Sequence, residues 1–269
     1  MSDTVYDIPT KGDRRKRSRH LWFINSSFDL VNFDQTVERI SERDPQAEFR
    51  FVVTPNVDHL VRMQKEPKWI KSIYQDAWLT VCDSRILELI AKLSGENLEV
   101  TPGSDLTEYL FENSINTDET ITVIGASASV IDAVTARYGL TDVRWYEPPM
   151  GLRKNLGAVQ QCADFIANNP AKFTFICVGS PQQEMVAKAA LRRGDCQGVG
   201  LCVGASLDFL AGKVARAPKW MQKSRLEWLH RLISEPARMW RRYLVTGPKI
   251  FLLWWRWQND RKQNRPEKT

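Results

Sequence analysis

The chain has 269 residues, 43% hydrophobic and 26% charged, the proportions of an ordinary soluble globular protein with room for one large α/β domain or a domain plus an appendage. Its net charge of +6 is unevenly spread: +3 over residues 1–20, −8 over 21–212 and +11 over 213–269. No stretch approaches the ~18 consecutive apolar residues of a membrane-spanning helix, the N-terminus lacks the long apolar core of a signal peptide, and five scattered cysteines without a C-x-x-C pair argue against a zinc site or a disulfide framework.

Taken in chain order, residues 1–19 are polar, basic and aperiodic and read as a disordered tail. From about residue 20, short apolar runs alternate with amphipathic segments. Phe51–Thr54, Leu79–Cys82, Ile121–Ile124, Val143–Tyr146, Phe173–Val178 and Val199–Val203 read as strands. Val57–Gln64, Arg85–Leu93, Ser104–Asn113, Ser129–Tyr138, Leu156–Asn168, Gln182–Arg193 and Ser206–Leu210 read as helices. This alternation predicts a mainly parallel, Rossmann-like α/β sheet with helices on both faces over residues 20–212. From 213 onward the pattern turns helical, cationic and Trp-rich, which marks 213–269 as an appendage; Pro236 and Pro248 are expected to start new helical segments, and the polar stretch after Asn259 to fray.

In a parallel sheet, ligands bind beyond the carboxyl ends of the strands. The chemically informative residues fall at those ends. Thr54-Pro55-Asn56 follows one strand and Asp83 the next. Gly125-Ala126-Ser127, Gly179-Ser180-Pro181-Gln182-Gln183-Glu184 and Gly204 to Asp208 follow three more. A glycine turn such as Gly125 lets the backbone approach a phosphate or ribose. Asp83 precedes a predicted helix, so the residues alone allow either an N-cap or a reactive carboxylate. His59 is expected at the surface. In the appendage Arg231 and Arg238 are seven apart and on one helix share a face, with Arg241 and Arg242 about a turn beyond. A row of guanidinium groups suits a diphosphate, and the interleaved Trp220, Trp228 and Trp240 suit a membrane interface.

The run Gly204, Ser206, Asp208, Phe209, Gly212, followed by Arg216-Ala217-Pro218, Trp220, Glu227-Trp228, Arg231-Leu232 and Glu235-Pro236-x-Arg238, closely resembles the C-terminal half of the WecG/TagA/CpsF family of bacterial glycosyltransferases. With the upstream blocks, the resemblance covers about residues 45 to 245. It implies an inverting, metal-independent enzyme without a cofactor. The enzyme would transfer a sugar from a UDP-sugar, of the N-acetylmannosamine, glucose or uronic-acid type, to an undecaprenyl-diphosphate-linked saccharide in cell-envelope or exopolysaccharide synthesis. It also implies Asp83 as catalytic base, with Thr54, Asn56 and Gln183 at the sugar pocket and Gly103-Ser104-Asp105 as a matched block near the donor. Arg85 would stand in for an arginine that relatives carry before that block, where this chain has Glu99 to Pro102. The family's usual Asp-Gly is here Asp83-Ser84.

The chain has no Asp-x-Asp pair, the usual device for holding a divalent cation against a nucleotide diphosphate. Arg231, Arg238 and Arg241 are therefore expected to balance the charge of the leaving diphosphate. The expected partners are the two substrates and the inner face of the cell membrane, for a cytoplasmic, peripherally attached protein that could form a homo-oligomer. An alternative is a nucleic-acid-binding protein using its basic, aromatic ends; the acidic middle of the chain disfavours it. A nucleotide-dependent oxidoreductase is disfavoured because no G-x-G-x-x-G follows any strand.

Overall fold

The computed structural model describes residues 19–214, 218, 221 and 227–263, apart from the side chains of Arg238 and Lys262. The expectations placed on residues 1–18, on Arg216, Ala217 and Trp220, and on the Arg238 side chain lie outside the described residues.

A hairpin of β1 (His20–Phe23) and β2 (Ser26–Asp29) comes first, followed by α1 (Phe33–Ser41). The succession then runs β3 (Arg50–Val53), α2 (Val57–Met63), α3 (Lys68–Gln75), β4 (Leu79–Thr80), α4 (Arg85–Leu93), α5 (Gly103–Asn113), β5 (Ile121–Gly125), α6 (Ala128–Tyr138) and β6 (Val143–Tyr146). After a short 3-10 turn come α7 (Leu156–Asn168), β7 (Phe173–Cys177), α8 (Gln182–Arg193), β8 (Val199–Cys202) and α9 (Ser206–Leu210). The six strands β3 to β8 form one parallel sheet in the order β4-β3-β8-β7-β5-β6. Parallel sheets are covered on both faces, so their strands read as unbroken apolar runs rather than alternations. Every residue of β5 and of β8 is buried for this reason.

One face of the sheet packs Phe51, Val53 and Ile176 against the hairpin's Phe23 and Phe28 and against α7 and α8. The opposite face packs Val52, Val123, Phe175 and Leu201 against α1, α5, α6 and α9. The predicted strands and helices of the core lie within two residues of those observed. The hairpin, α1 and α3 were not predicted. Four-residue strands give too few alternations to register, although Asn32 and Gln35 form a reciprocal capping box at the start of α1.

Among the described residues, four helical pieces follow from 227 onward: α10 (Glu227–Ser234), α11 (Pro236–Trp240), a π-helical turn over Arg241–Thr246, and α12 (Lys249–Gln263). Pro236 occupies the first turn of α11, where its missing N–H costs nothing. The expected fraying after Asn259 does not occur within the described residues. Instead α12 runs to Gln263 and is clasped by Ser94, which lies at the end of α4. The Ser94 hydroxyl accepts from Trp254 Nε1 at 2.7 Å and Gln258 Nε2 at 3.1 Å and donates to the Ile90 carbonyl at 2.7 Å. Arg261 pairs with Glu96, and Trp257 meets Phe23 edge-on at 4.9 Å. The same segment leaves Ile233, Leu244, Phe251, Leu252 and Trp255 exposed. Among the described residues, no helix is long and apolar enough to cross a membrane.

Candidate active site

The cap question at Asp83 has a geometric answer. Ser84, not Asp83, is the N-cap of α4, and its hydroxyl accepts from the Leu87 N–H. The serine that replaces the usual glycine thus satisfies the helix end, and the Asp83 carboxylate is left to face the carboxyl end of the neighbouring strand. There Asn56 caps α2 through its Oδ1, which accepts from the Asp58 N–H at 3.1 Å, while its Nδ2 donates to Asp83 Oδ2 at 3.4 Å. One amide side chain therefore does both jobs, helix cap and carboxylate partner.

These residues open onto a cavity of about 350 Å³ between the sheet and the helical segment. Its polar lining includes Asn56, Asp58, Asp83, Ser84, Arg85, Arg231 and Arg242. Val57 and Ile86 from the core meet Trp228, Tyr243, Pro248 and Phe251 to form the apolar wall. A carboxylate beneath two guanidinium groups beside an apolar wall can bind an amphipathic anion and take a proton from a hydroxyl. Burial pushes the Asp83 carboxyl up to about 6, while Arg231, the Asn56 bond and Arg242 pull it down and Asp105 adds to the rise. At neutral pH the group is ionised yet basic enough to accept a proton.

The two expected arginine positions part company. Arg231 lines the cavity and lies 4.8 Å over the Phe209 ring. Arg241 is exposed and stacks on the exposed Trp240 at 5.3 Å, away from Asp83. Arg242 takes the place expected of it, reaching Asp58 at 4.0 Å. The seven-residue spacing assumed one continuous helix. In fact α10 ends at Ser234, Glu235 leaves helical geometry at φ −135°, and the π turn adds a residue per turn. The helical phase between Arg231 and the pair Arg241-Arg242 is lost.

Thr54 and Gln183 lie behind the cavity rather than in its wall. Thr54 is buried, donates to the Cys202 carbonyl at 3.1 Å and packs on Gly103, where a Cβ would meet its hydroxyl at 3.2 Å. Gln183 is buried too; its Oε1 accepts from the Gly204 N–H at 2.9 Å and its Nε2 donates to Glu184 Oε1 at 3.0 Å. Both tie the ends of β3, β8 and α8 together and fix the floor on which Asn56 stands. Ser104 donates to Asp105 at 3.3 Å in the first turn of α5. Arg85 rests 3.6 Å from Glu88 at the cavity rim. Asp208 sits in the first turn of α9, close enough to Cys177 to help raise its thiol.

Gly125 and Ser127 belong to a second cluster. In the observed strand order β5 stands three places from β3, about 14 Å at the usual strand spacing. Gly125 has φ +91° with Val178 pressed against it, and the next residue, Ala126, also has positive φ. Only glycine reaches the first conformation without strain. Lys213 donates to Ser127 Oγ at 2.9 Å and to Ser129 Oγ at 2.6 Å, which sets an ammonium at the start of α6. Among the described residues, no group of three or more His, Cys, Asp or Glu is arranged to hold a metal ion.

His59 was expected at the surface and is instead nearly buried. Its Nε2 lies 3.8 Å from the buried Glu184, which comes from α8, 125 positions along the chain. Nothing local to residue 59 announces that neighbour. Sequence reasoning also missed Asp58 as the anchor of Arg242; its i,i+4 spacing to Arg62, which it pairs with at 2.9 Å, is the one available signal.

A parallel α/β sheet with a carboxylate at a strand end, beneath arginines from an added helical segment, suits proton transfer beside a bound anion. The Glycosyl transferase WecG/TagA/CpsF family matches residues 21–264, and the chain belongs to that family of glycosyltransferases. A curated relative is the N-acetylglucosaminyldiphosphoundecaprenol N-acetyl-beta-D-mannosaminyltransferase of Bacillus spizizenii, 28% identical over 199 residues, which cover 72% of this chain and 74% of the relative.

Proposed function

We propose that this glycosyltransferase moves a sugar from a UDP-sugar to N-acetylglucosamine carried on undecaprenyl diphosphate, with inversion and without a metal ion. The observation that carries the reading is Asp83, held by Asn56 under Arg231 and Arg242 in a cavity with one apolar wall. The acceptor's diphosphate suits the two guanidinium groups, and the first units of its lipid suit Trp228, Tyr243 and Phe251. The name of the relative supports this acceptor and a mannosamine-type donor.

In this reading the acceptor hydroxyl gives its proton to Asp83 as its oxygen bonds to the anomeric carbon. The bond from that carbon to the diphosphate breaks on the opposite face, and UDP departs with the electron pair. Asp105 and Ser104 lie on the donor side of Asp83, and the nucleotide extends along the strand ends toward the Gly125 turn and Ser127. Arg238 is proposed to join the arginine roof, and Arg85 to hold the donor at the rim. The exposed apolar residues of α10 to α12, set among arginines, support attachment to the inner face of an anionic membrane.

The test is a transfer assay with synthetic undecaprenyl-diphosphate N-acetylglucosamine and a panel of UDP-sugars, run with and without EDTA. The expected result is inverted product from one donor class at a rate unchanged by EDTA. Inhibition by EDTA that Mn²⁺ reverses would contradict the metal-free mechanism. Failure of every donor, alongside salt-sensitive oligonucleotide binding, would favour a nucleic-acid role.

A further inference from the structure

The buried imidazole of His59 has a task that follows from the atoms around it. Its Nδ1 lies 2.8 Å from Asn56 Oδ1 and 3.2 Å from the Asn56 backbone N–H. One nitrogen can donate to the first or accept from the second, not both. The orientation of the Asn56 amide decides between them. Its oxygen must face the Asp58 N–H, which needs an acceptor, and its NH2 must face the Asp83 carboxylate, which needs a donor. With Oδ1 so placed, the shorter contact is favourable only when Nδ1 carries the hydrogen.

We propose that His59 is a positioning residue of the transfer reaction: its Nδ1–H holds the Asn56 amide oxygen, so that the Asn56 NH2 group stays aimed at Asp83. The inference rests on the reading of Asp83 as the base. Glu184, Arg62 and Arg242 face the imidazole, and burial together with the two guanidinium charges keeps it neutral, as a one-hydrogen tautomer requires. Glu184, held by Gln183 at 3.0 Å, stands 3.8 Å from Nε2, beyond hydrogen-bond reach, so the hydrogen-bonded chain is His59, Asn56, Asp83, from α2 to the residue that follows β4. The charged and titratable groups facing Asp83 are Arg231 from α10, Arg242 from the π turn, Asp105 from α5 and the neighbouring Cys82 thiol. Arg85 of α4 and Asp58 of α2 line the same cavity, and Asp58 is engaged by Arg62 and Arg242, so the direct hydrogen bond to Asp83 from the α2 end is that of the Asn56 amide, which His59 holds.

The test is a double-mutant cycle read through the pH profile of kcat/KM. His59→Leu is expected to lower kcat about tenfold or more with KM little changed, and to move the acid limb upward, because Asp83 loses a donor that favours its ionised form. In an Asn56→Ala background, His59→Leu is expected to cost less than about twofold and to leave the limb where Asn56→Ala alone puts it. Equal losses in both backgrounds, or an unmoved limb, would overturn the proposal. Should His59→Leu not fold, His59→Asn and His59→Gln take its place. Asparagine carries an N–H where Nδ1 stands and is expected to retain most activity. Glutamine carries it where Nε2 stands and is expected to lose it. The reverse order would also overturn the proposal. An active Asp83→Asn enzyme would instead remove the base assignment itself, whatever the cycle shows.

Discussion

The sheet core and the helical segment after it obey the same helix physics but record it differently in sequence. In the core each helix packs one stripe against a sheet, so burial enforces the 3.6-residue period and helices such as Arg85–Leu93 and Gln182–Arg193 can be read directly. The segment after residue 227 is broken at Ser234, restarted at Pro236 and widened into a π turn at Arg241. Residue spacing there no longer reports direction. The lesson is that composition can be legible where geometry is not: arginines in this segment are evident from the sequence, but that Arg231 and Arg242 line the cavity beside Asp83 is not.

The largest expected effect tests the core side of this comparison. Asp83→Asn keeps the shape and removes the proposed base, and kcat is expected to fall by roughly 10²–10⁴-fold while UDP-sugar binding, followed by thermal shift, persists. Unchanged turnover would move catalysis out of the strand ends.

The next tests the segment. Arg231→Ala and Arg242→Ala are each expected to lower kcat/KM about 10- to 100-fold, consistent with the loss of one charge-assisted contact of ~1.5–3 kcal/mol. Arg241→Ala is expected to stay within about twofold in detergent-solubilised acceptor. A greater loss for Arg241 than for Arg242 would restore the continuous-helix picture.

The smallest effect tests how the two regions are joined. Ser94→Val removes the hydroxyl that accepts from Trp254 and Gln258. It leaves two half-buried donors without that partner, at less than the ~1–3 kcal/mol that a fully buried donor would cost, since water can reach them in part. A fall in Tm of a few degrees is expected, with the core's catalytic residues unaltered. No change in Tm would mean that α12 is held elsewhere.

Much of the fold was legible, and the reasons for the gaps are specific. The strand runs at Ile121 and Phe173 are buried on both faces and advertise themselves. The His20–Asp29 hairpin does not, because two strands of four residues leave no period to detect. In the candidate site, Asp83 and Asn56 were visible as polar residues at strand ends, and their mutual contact follows from the pairing of β3 with β4. His59 was misjudged because its burial depends on Glu184, far away in sequence. That Arg242 rather than Arg241 lines the cavity is not legible because a π turn has no reliable spacing in the chain.

The most direct test of the central claim, that the helical segment closes over an Asp83 poised near neutrality, is the pH dependence of kcat/KM for the wild-type enzyme and for Arg231→Ala. The Asp83 carboxyl lies at about 6 with Arg231 as its strongest favourable charge. In the proposed mechanism ionised Asp83 is the active form, so the account predicts activity rising through an acid limb near pH 6 in the wild type. In the variant the limb shifts to higher pH, because the charge that favoured the carboxylate is gone. An acid limb that does not move on removing Arg231 would contradict it.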